Sequence, residues 1–328
     1  MTGIISWVPA VVGKGIVMKK AIITGPTGAV GVSLIQELIQ KGWMVAAVAR
    51  PGSKRLSAIP KNSNVMVVEC DAQNLRNLPT VLNGTYDVFY HFAWNGTYGE
   101  SRMNIMQQNE NVKYTLDAVN AAYELGCGVF VGAGSQSEFG HVSCILSPDM
   151  PCKPDNGYGA AKLAACNLSR VLCTQLGIRH EWCRILSLYG PYDAPYTMVM
   201  SLIHNLLSGK RPVCTKGDQL WDYIYNKDAA RAFRLVAEKG VDGSIYCFGS
   251  GKPRLLKEYI TAIRDAVDPA AEIGFGELPY YPNQVMHLEA DLTNLYHDTG
   301  FRPQYSFEEG IQETITWVKQ NKATGMEN

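Results

Sequence analysis

The chain has no excess of either charge, with 30 Lys+Arg against 30 Asp+Glu in 328 residues. That balance gives no electrostatic reason to expect nucleic acid or an anionic membrane as a partner, and it leaves a small molecule. No C-x-x-C pair occurs. The nine cysteines, at 70, 127, 144, 152, 166, 173, 183, 214 and 247, are scattered through apolar or helical surroundings, and the six histidines are equally dispersed. Such thiols read as packed and reduced, so the expected compartment is cytoplasmic and no metal site is expected. Long apolar runs are missing too. Gly3 to Val12 is apolar, but it lacks a basic flank, contains Pro9 and is too short to span a bilayer. Residues 1–17 are expected to form a flexible extension ahead of Met18-Lys19-Lys20, and 321–328 a frayed polar tail. Internal repeats and low-complexity segments are absent.

What is present is organised around Ala21-Ile22-Ile23-Thr24-Gly25-Pro26-Thr27-Gly28-Ala29-Val30-Gly31. An apolar run enters a turn with three glycines and passes into Val32 to Lys41, whose apolar residues 34, 35, 38 and 39 have helical spacing. This reads as strand, phosphate loop, helix. Gly25 allows the tight turn, Gly28 lets the backbone approach a pyrophosphate, and Gly31 lets the helix pack close to the strand. A helix N-terminus then offers unpaired N–H groups to the phosphates. The pattern predicts a dinucleotide site.

Further apolar strands are expected at 43–49, 65–70, 86–93, 128–133, 181–186 and 241–248, with a helix over roughly 103–125 and another opening at Gly157. Strands alternating with helices at this spacing predict an α/β fold, a doubly wound parallel sheet. The expected division is a dinucleotide-binding core over 18–180 and, over 181–320, a smaller substrate lobe from which some strands return to the core. After the second strand, Arg50-Pro51-Gly52-Ser53-Lys54-Arg55 supplies cations where a carboxylate would otherwise hold the ribose hydroxyls. Arginine there favours a 2′-phosphate, so NADP is expected, with NAD as the alternative. Asp71, ending the third strand, can receive the adenine amino group or cap the next turn. Trp94 to Gly99 follows the fourth strand at the edge where parallel sheets bind ligands.

Ser135 follows the fifth strand, and Tyr158 and Lys162 stand four apart in the helix after it. That spacing puts both side chains on one helix face, so an ammonium can lower a tyrosine pKa of about 10 toward neutrality. A tyrosine tuned in this way exchanges a proton with a carbonyl or alcohol oxygen, and Ser135 can bond the same oxygen.

With these residues in this order, and with His91-Phe92-Ala93, Asn111-Val112-Lys113-Tyr114-Thr115, Arg184 to Pro191 and Asp222 to Ala230, the sequence resembles the extended short-chain dehydrogenase/reductases. This group contains nucleotide-sugar epimerases, dehydratases and ketoreductases, and the resemblance covers about 19–320. It implies a Rossmann-type core in which Tyr158 is the acid/base, Lys162 also holds the nicotinamide ribose and Ser135 polarises the substrate oxygen. It further implies cofactor contacts from Gly25, Thr27, Gly28, Ala29, Val30, Gly31, Ala93, Asn111, Tyr158, Lys162 and Leu186, with Asn111 also supporting the architecture of the site. Trp94, Ser137, Trp221 and Tyr281 fall on the substrate side, and a homodimer through helices near 111–125 and 158–176 is expected.

Gln136-Ser137 stands where sugar 4,6-dehydratases carry Asp-Glu, which argues against water elimination and toward reduction of 4-keto-deoxysugar nucleotides. Family members place arginines at the positions of Trp221 and near Tyr281 to grip a diphosphate; here Lys210, Arg211 and Lys216 are the cations available instead. The leading expectation is therefore an NADP-dependent reductase of a keto group on a nucleotide-linked sugar. An epimerase retaining NAD is the alternative within enzymes, followed by a reductase of bulky apolar ketones. A non-catalytic NADP-sensing regulator is the alternative from another class.

Overall fold

The computed structural model describes residues 19–282 and 284–323. The expected N-terminal extension thus lies outside the described residues. Seven parallel strands form the central sheet: β1 (Lys20–Thr24), β2 (Met44–Ala49), β3 (Val65–Glu69), β4 (Val88–His91), β5 (Val129–Ser135), β6 (Arg179–Ile185) and, later in the chain, Ile245–Phe248. Between β6 and that last strand lie β7 (Ser187–Tyr189), β8 (Val213–Cys214), β9 (Leu220–Trp221) and β10 (Tyr223–Tyr225), so Ile245–Phe248 is β11. The sheet order is β11-β6-β5-β4-β1-β2-β3. The order reverses between β1 and β4, and in such sheets the crevice outside the strand ends at that switch point takes the ligand.

Parallel strands read as near-continuous apolar runs because both of their faces are covered. Alternate residues serve opposite faces. Ile23, Tyr90 and Val131 pack with Leu34, Ile35 and Leu38 of α1 (Ala29–Gln40) and with Phe233 and Val236 of the helix Asn226–Lys239. Their neighbours Ile22, Phe89 and Phe130 turn the other way, onto Ala118, Val119 and Ala122 of α2 (Ile105–Glu124) and Cys173 of α3 (Gly157–Leu176). Each fully buried large side chain contributes about 1.5–3 kcal/mol of transfer free energy.

The observed elements match the expected strands to within a few residues, and the expected sheet class is the one observed. Two boundaries move for a local reason. The first helix begins at Ala29 rather than after the third glycine, because the Gly28 backbone itself caps it. The fifth strand runs on to Ser135, bringing that serine to the carboxyl edge of the sheet. Gly132 and Gly134 in β5 make room for the indole of Trp182 on β6: a Cβ on Gly132 would stand 2.2 Å from the ring.

The second half of the chain adds α4 (Met198–Leu207), α5 (the helix Asn226–Lys239), β12 (Arg254–Leu255), α6 (Leu256–Val267), β13 (Gly274–Phe275), α7 (Thr293–Thr299) and α8 (Phe307–Ala323). Three short strand pairs, β7/β10, β8/β13 and β9/β12, lie outside the large sheet. Val199, Leu202, Ile203 and Leu206 of α4, Ile260 and Ile263 of α6, and Ile311 and Ile315 of α8 form a separate core with Tyr189, Tyr223 and Phe307. The tail expected to fray at 321–328 is helical as far as Ala323. Among the described residues, no helix is long and apolar enough to cross a membrane.

Candidate active site

A cleft of about 410 Å³ opens at the switch point, lined in part by Gly25, Thr27, Arg50, Asp71, Ala93 and Trp94. Its floor is set by Thr24, whose hydroxyl accepts from the N–H groups of Phe92 (3.1 Å) and Ala93 (3.2 Å) and shares a hydrogen bond with His91 Nδ1 (3.0 Å). This ties the ends of β1 and β4 together. Gly25 has φ +68°, and a Cβ there would stand 2.9 Å from the backbone of Phe92 and Ala93. Gly31 lies under the turn, where a Cβ would meet the Gly25 carbonyl oxygen at 2.4 Å. Gly28 differs, since a Cβ there would meet nothing nearer than 3.8 Å. The space above it is open, and no side chain caps the N–H groups of the first turn of α1, in which Ala29 and Val30 stand. An open approach to an uncapped helix N-terminus suits a pyrophosphate.

Arg50 is exposed at the rim of this cleft, and no carboxylate ends β2. Arg55 reaches across to the second half of the chain and donates to the Tyr192 carbonyl oxygen at 2.7 Å. Asp71 accepts from the Gln73 N–H at 3.3 Å, the capping role among the two expected for it. Leu186 is buried, with its N–H on the Phe248 carbonyl at 3.1 Å. Asn111 does not line the cleft. Its side chain accepts from the N–H of Asn95 (2.8 Å) and donates to the Asn95 carbonyl (2.9 Å), so it fixes the loop after β4.

Ser135, Tyr158 and Lys162 come together beside the cleft, but not in the expected electrostatic arrangement. Lys162 is 4% exposed, donates to the Ala133 carbonyl at 2.6 Å and stands 3.7 Å from the centre of the Trp94 ring. Its ammonium is 5.8 Å from the Tyr158 ring, and burial draws its pKa down to about 7, with Glu138 opposing that shift. Tyr158 itself is not lowered toward neutrality. Burial raises its pKa, opposed by the neighbouring Ser135 side chain and by the Arg102 charge, while Glu138 adds to the rise. The reason is geometric: the lysine ammonium serves a backbone carbonyl and an indole instead of the phenol.

Ser135 is held in turn. Glu138 is fully buried and accepts from the Ser135 N–H (2.8 Å), Trp182 Nε1 (3.0 Å) and Arg184 Nε (2.7 Å). Trp182 can lie there because β5 carries glycines at 132 and 134. Spacing alone did not mark Glu138, Trp182 or Arg184 as site residues; the glycine pair inside a strand was the available signal.

On the substrate side, Trp94 stands edge-on to Tyr158 at 6.0 Å and gives its N–H to Gln108 (2.8 Å). Ser137 accepts from the guanidinium of Arg102, a residue that sequence reasoning missed. Trp221 pairs with Arg254 in β9/β12 and its indole N–H is buried without a partner. Tyr281 is 79% exposed. Arg211, one of the expected compensating cations, is already paired with Glu277 at 2.9 Å. The buried Asp222 beside Trp221 takes N–H groups of Ser250, Gly251 and Ala290 and the Ser250 hydroxyl, which fixes the turn there.

Comparison with known proteins agrees with this fold. A dTDP-glucose 4,6-dehydratase of Escherichia coli is 31% identical over 180 residues, 52% of this chain and 50% of the relative, so the chain spans about half the length of that curated relative. The dTDP-D-glucose 4,6-dehydratase of Mus musculus is 25% identical over 321 residues, 92% of this chain and 89% of its own. Among solved structures, UDP-glucose 4-epimerase of Thermotoga maritima with UDP-glucose has the same fold, with a TM-score of 0.83 at 20% identity over 92% of this chain and 99% of the other. A dTDP-glucose 4,6-dehydratase of Streptomyces venezuelae with NAD bound gives 0.81 at 21% identity, over 93% and 98%. Residues 21–249 match the model of a family described as the NAD dependent epimerase/dehydratase family, and it is to this family that the chain belongs.

Proposed function

We propose that the chain is an NADP-dependent oxidoreductase that reduces a keto group on a nucleotide-linked sugar, with Tyr158 as proton donor. The observation that carries this reading is the meeting of Ser135, at the carboxyl end of β5, with Tyr158 and Lys162 of α3 around Trp94, which lines the switch-point cleft. Gly28 and the uncapped first turn of α1 would hold the pyrophosphate, and Arg50 with Ser53 would hold the 2′-phosphate. The bound nicotinamide supplies the hydride for the carbonyl carbon. Tyr158 supplies the proton for the carbonyl oxygen and Ser135 orients that oxygen by hydrogen bonding. Lys162, buried beside the Trp94 ring, would hold the nicotinamide ribose.

Elimination of water, the chemistry named for the dehydratase relatives, needs a further acid or base. The turn 135–139 offers one carboxylate, Glu138, and it is committed to Ser135, Trp182 and Arg184. An epimerase that retains NAD is the second reading, favoured by family membership and by NAD in solved relatives of this fold. Exposed Tyr123 on α2 and exposed Leu168 and Val171 on adjacent α3 support a homodimer through these helices.

The test is to identify the nucleotide carried by purified protein and to follow NADPH oxidation with keto forms of UDP-, dTDP-, CDP- and GDP-sugars. The proposal expects reversible NADPH binding and stoichiometric alcohol formation. Tightly retained NAD with no net NADPH oxidation would replace it by the epimerase reading.

A further inference from the structure

The loop between β4 and α2 carries a cation that the scheme above does not use. After Trp94 the chain leaves the sheet edge and comes back through a short helical turn, Gly99–Arg102, before Asn104 caps α2. Two buried amides fix this path. Gln108 donates to the carbonyls of Asn95 (3.3 Å), Gly96 (2.7 Å) and Ser101 (3.0 Å), and it accepts from Trp94 Nε1. Asn111 holds both backbone groups of Asn95, as described above. Gly157 removes the remaining obstacle: a Cβ there would stand 3.0 Å from the Arg102 carbonyl oxygen and 2.9 Å from Ile105. The backbone of Arg102 is therefore seated against the first turn of α3, next to Tyr158.

From that position the guanidinium lies over the Tyr158 ring, with Cζ 4.4 Å from its centre. One nitrogen donates to Ser137 Oγ and another to the Thr97 carbonyl at 3.4 Å. None of the ion pairs among the described residues includes Arg102, so no carboxylate of the described chain neutralises it. The other charged groups that face Tyr158 are Lys162 on its own helix, 5.8 Å from the ring, and Glu138 below β5, itself paired with Arg184 of β6. The lysine is the weaker permanent charge of the two cations, since burial brings its pKa to about 7. An arginine keeps its charge throughout the working range of an enzyme. A cation over an aromatic face attracts the ring, and it attracts a phenolate more strongly.

Taking Tyr158 as the proton-transfer residue, we infer that Arg102 is the permanent cation that seats the Tyr158 ring and stabilises its phenolate. Arg102 is thus a positioning residue acting through Tyr158. The inference rests on the proposed function, but its principal test needs no turnover.

A ring-fluorinated tyrosine placed at position 158 titrates at lower pH than tyrosine, within the range where the fold survives, and its fluorine resonance reports ionisation directly. In the full-length protein, Arg102→Met should raise that titration by about one to two pH units, the range expected on removing an adjacent opposite charge. Arg102→Lys should restore most of the shift, and both proteins should melt cooperatively. An unmoved titration in folded Arg102→Met overturns the inference. Where turnover is measurable, the pH limit assigned to Tyr158 should rise by the same amount in Arg102→Met. A higher KM with an unmoved limit would instead make Arg102 a grip on an anionic group of the substrate, and would also overturn it. Absence of turnover with every keto-sugar would sink the functional reading while the fluorine titration still decides the role of Arg102.

Discussion

Replacing Glu138 by glutamine removes one negative charge from a place with no water to compensate for it. The carboxylate is fully buried and accepts three hydrogen bonds, from Ser135, Trp182 and Arg184, at 2.8, 3.0 and 2.7 Å. Glutamine has one acceptor oxygen and one donor NH₂, so whichever way it turns it presents an N–H to another donor. Arg184, 2% exposed, keeps the Pro148 carbonyl at 3.1 Å and the face of Phe139, and loses its only carboxylate among the described residues. Breaking a buried ion pair from one side costs about 3–5 kcal/mol, most of it the stranded charge. With a urea dependence of about 3 kcal/mol per molar, that is a midpoint lower by about 1–1.7 M. Turnover should fall as well, because the Ser135 N–H loses its anchor. A companion Glu138→Gln/Arg184→Met variant, which removes the stranded cation, should recover more than half of the stability. A single variant within about 1 kcal/mol of the native protein would refute this account of how Ser135 is held.

Gly28→Ala should leave stability within about 1 kcal/mol and weaken dinucleotide binding, because its Cβ enters only the open space above α1; Gly31→Ala, with a Cβ 2.4 Å from the Gly25 oxygen, should lose about 1–3 kcal/mol on unfolding in denaturant. Arg50→Glu should weaken NADPH binding by about 10- to 100-fold, the equivalent of one charge-assisted contact, while NADH binding changes little; equal losses for both cofactors would contradict the 2′-phosphate assignment. Stability should also fall in acid. Burial depresses the pKa of His91 to about 3 and of His180 to about 4, so below the ordinary value of 6.5 the unfolded chain binds protons that the native state refuses. The stability is fully present above pH 6.5 and is lost as pH falls toward 4 and then 3, by about 4 kcal/mol for the pair between pH 7.5 and 5. Urea midpoints that do not move over that interval, or that move as much in His91→Gln/His180→Gln, would show the linkage lies elsewhere.

Much of this was legible before any coordinates, and for physical reasons. Ile22 and Ile23 could be placed because strands covered on both faces leave uninterrupted apolar runs, and Gly25 and Gly31 because only glycine fits where the turn and helix touch. That Ser135, Tyr158 and Lys162 come together was readable from their order and spacing. What spacing could not give was direction: a four-residue interval predicts that Lys162 faces Tyr158, yet its ammonium reaches the Ala133 carbonyl and the Trp94 ring instead. Arg102 was invisible because it sits in a loop whose path depends on Gln108 and Asn111, far-reaching side chains with no local signature. Strands of two or three residues such as β8, β9 and β12 carry too few residues to show any period.

The central claim is that the Tyr158 hydroxyl delivers the proton beside a dinucleotide cleft that Tyr158 does not itself build. Tyr158→Phe removes that hydroxyl and keeps the ring against Trp94 and Arg102. Measured side by side on purified protein, NADPH affinity should stay within about twofold of the native value while turnover of the keto-sugar falls by about 100-fold or more, the usual scale for losing a general acid. Turnover equal to that of the native protein would contradict the account.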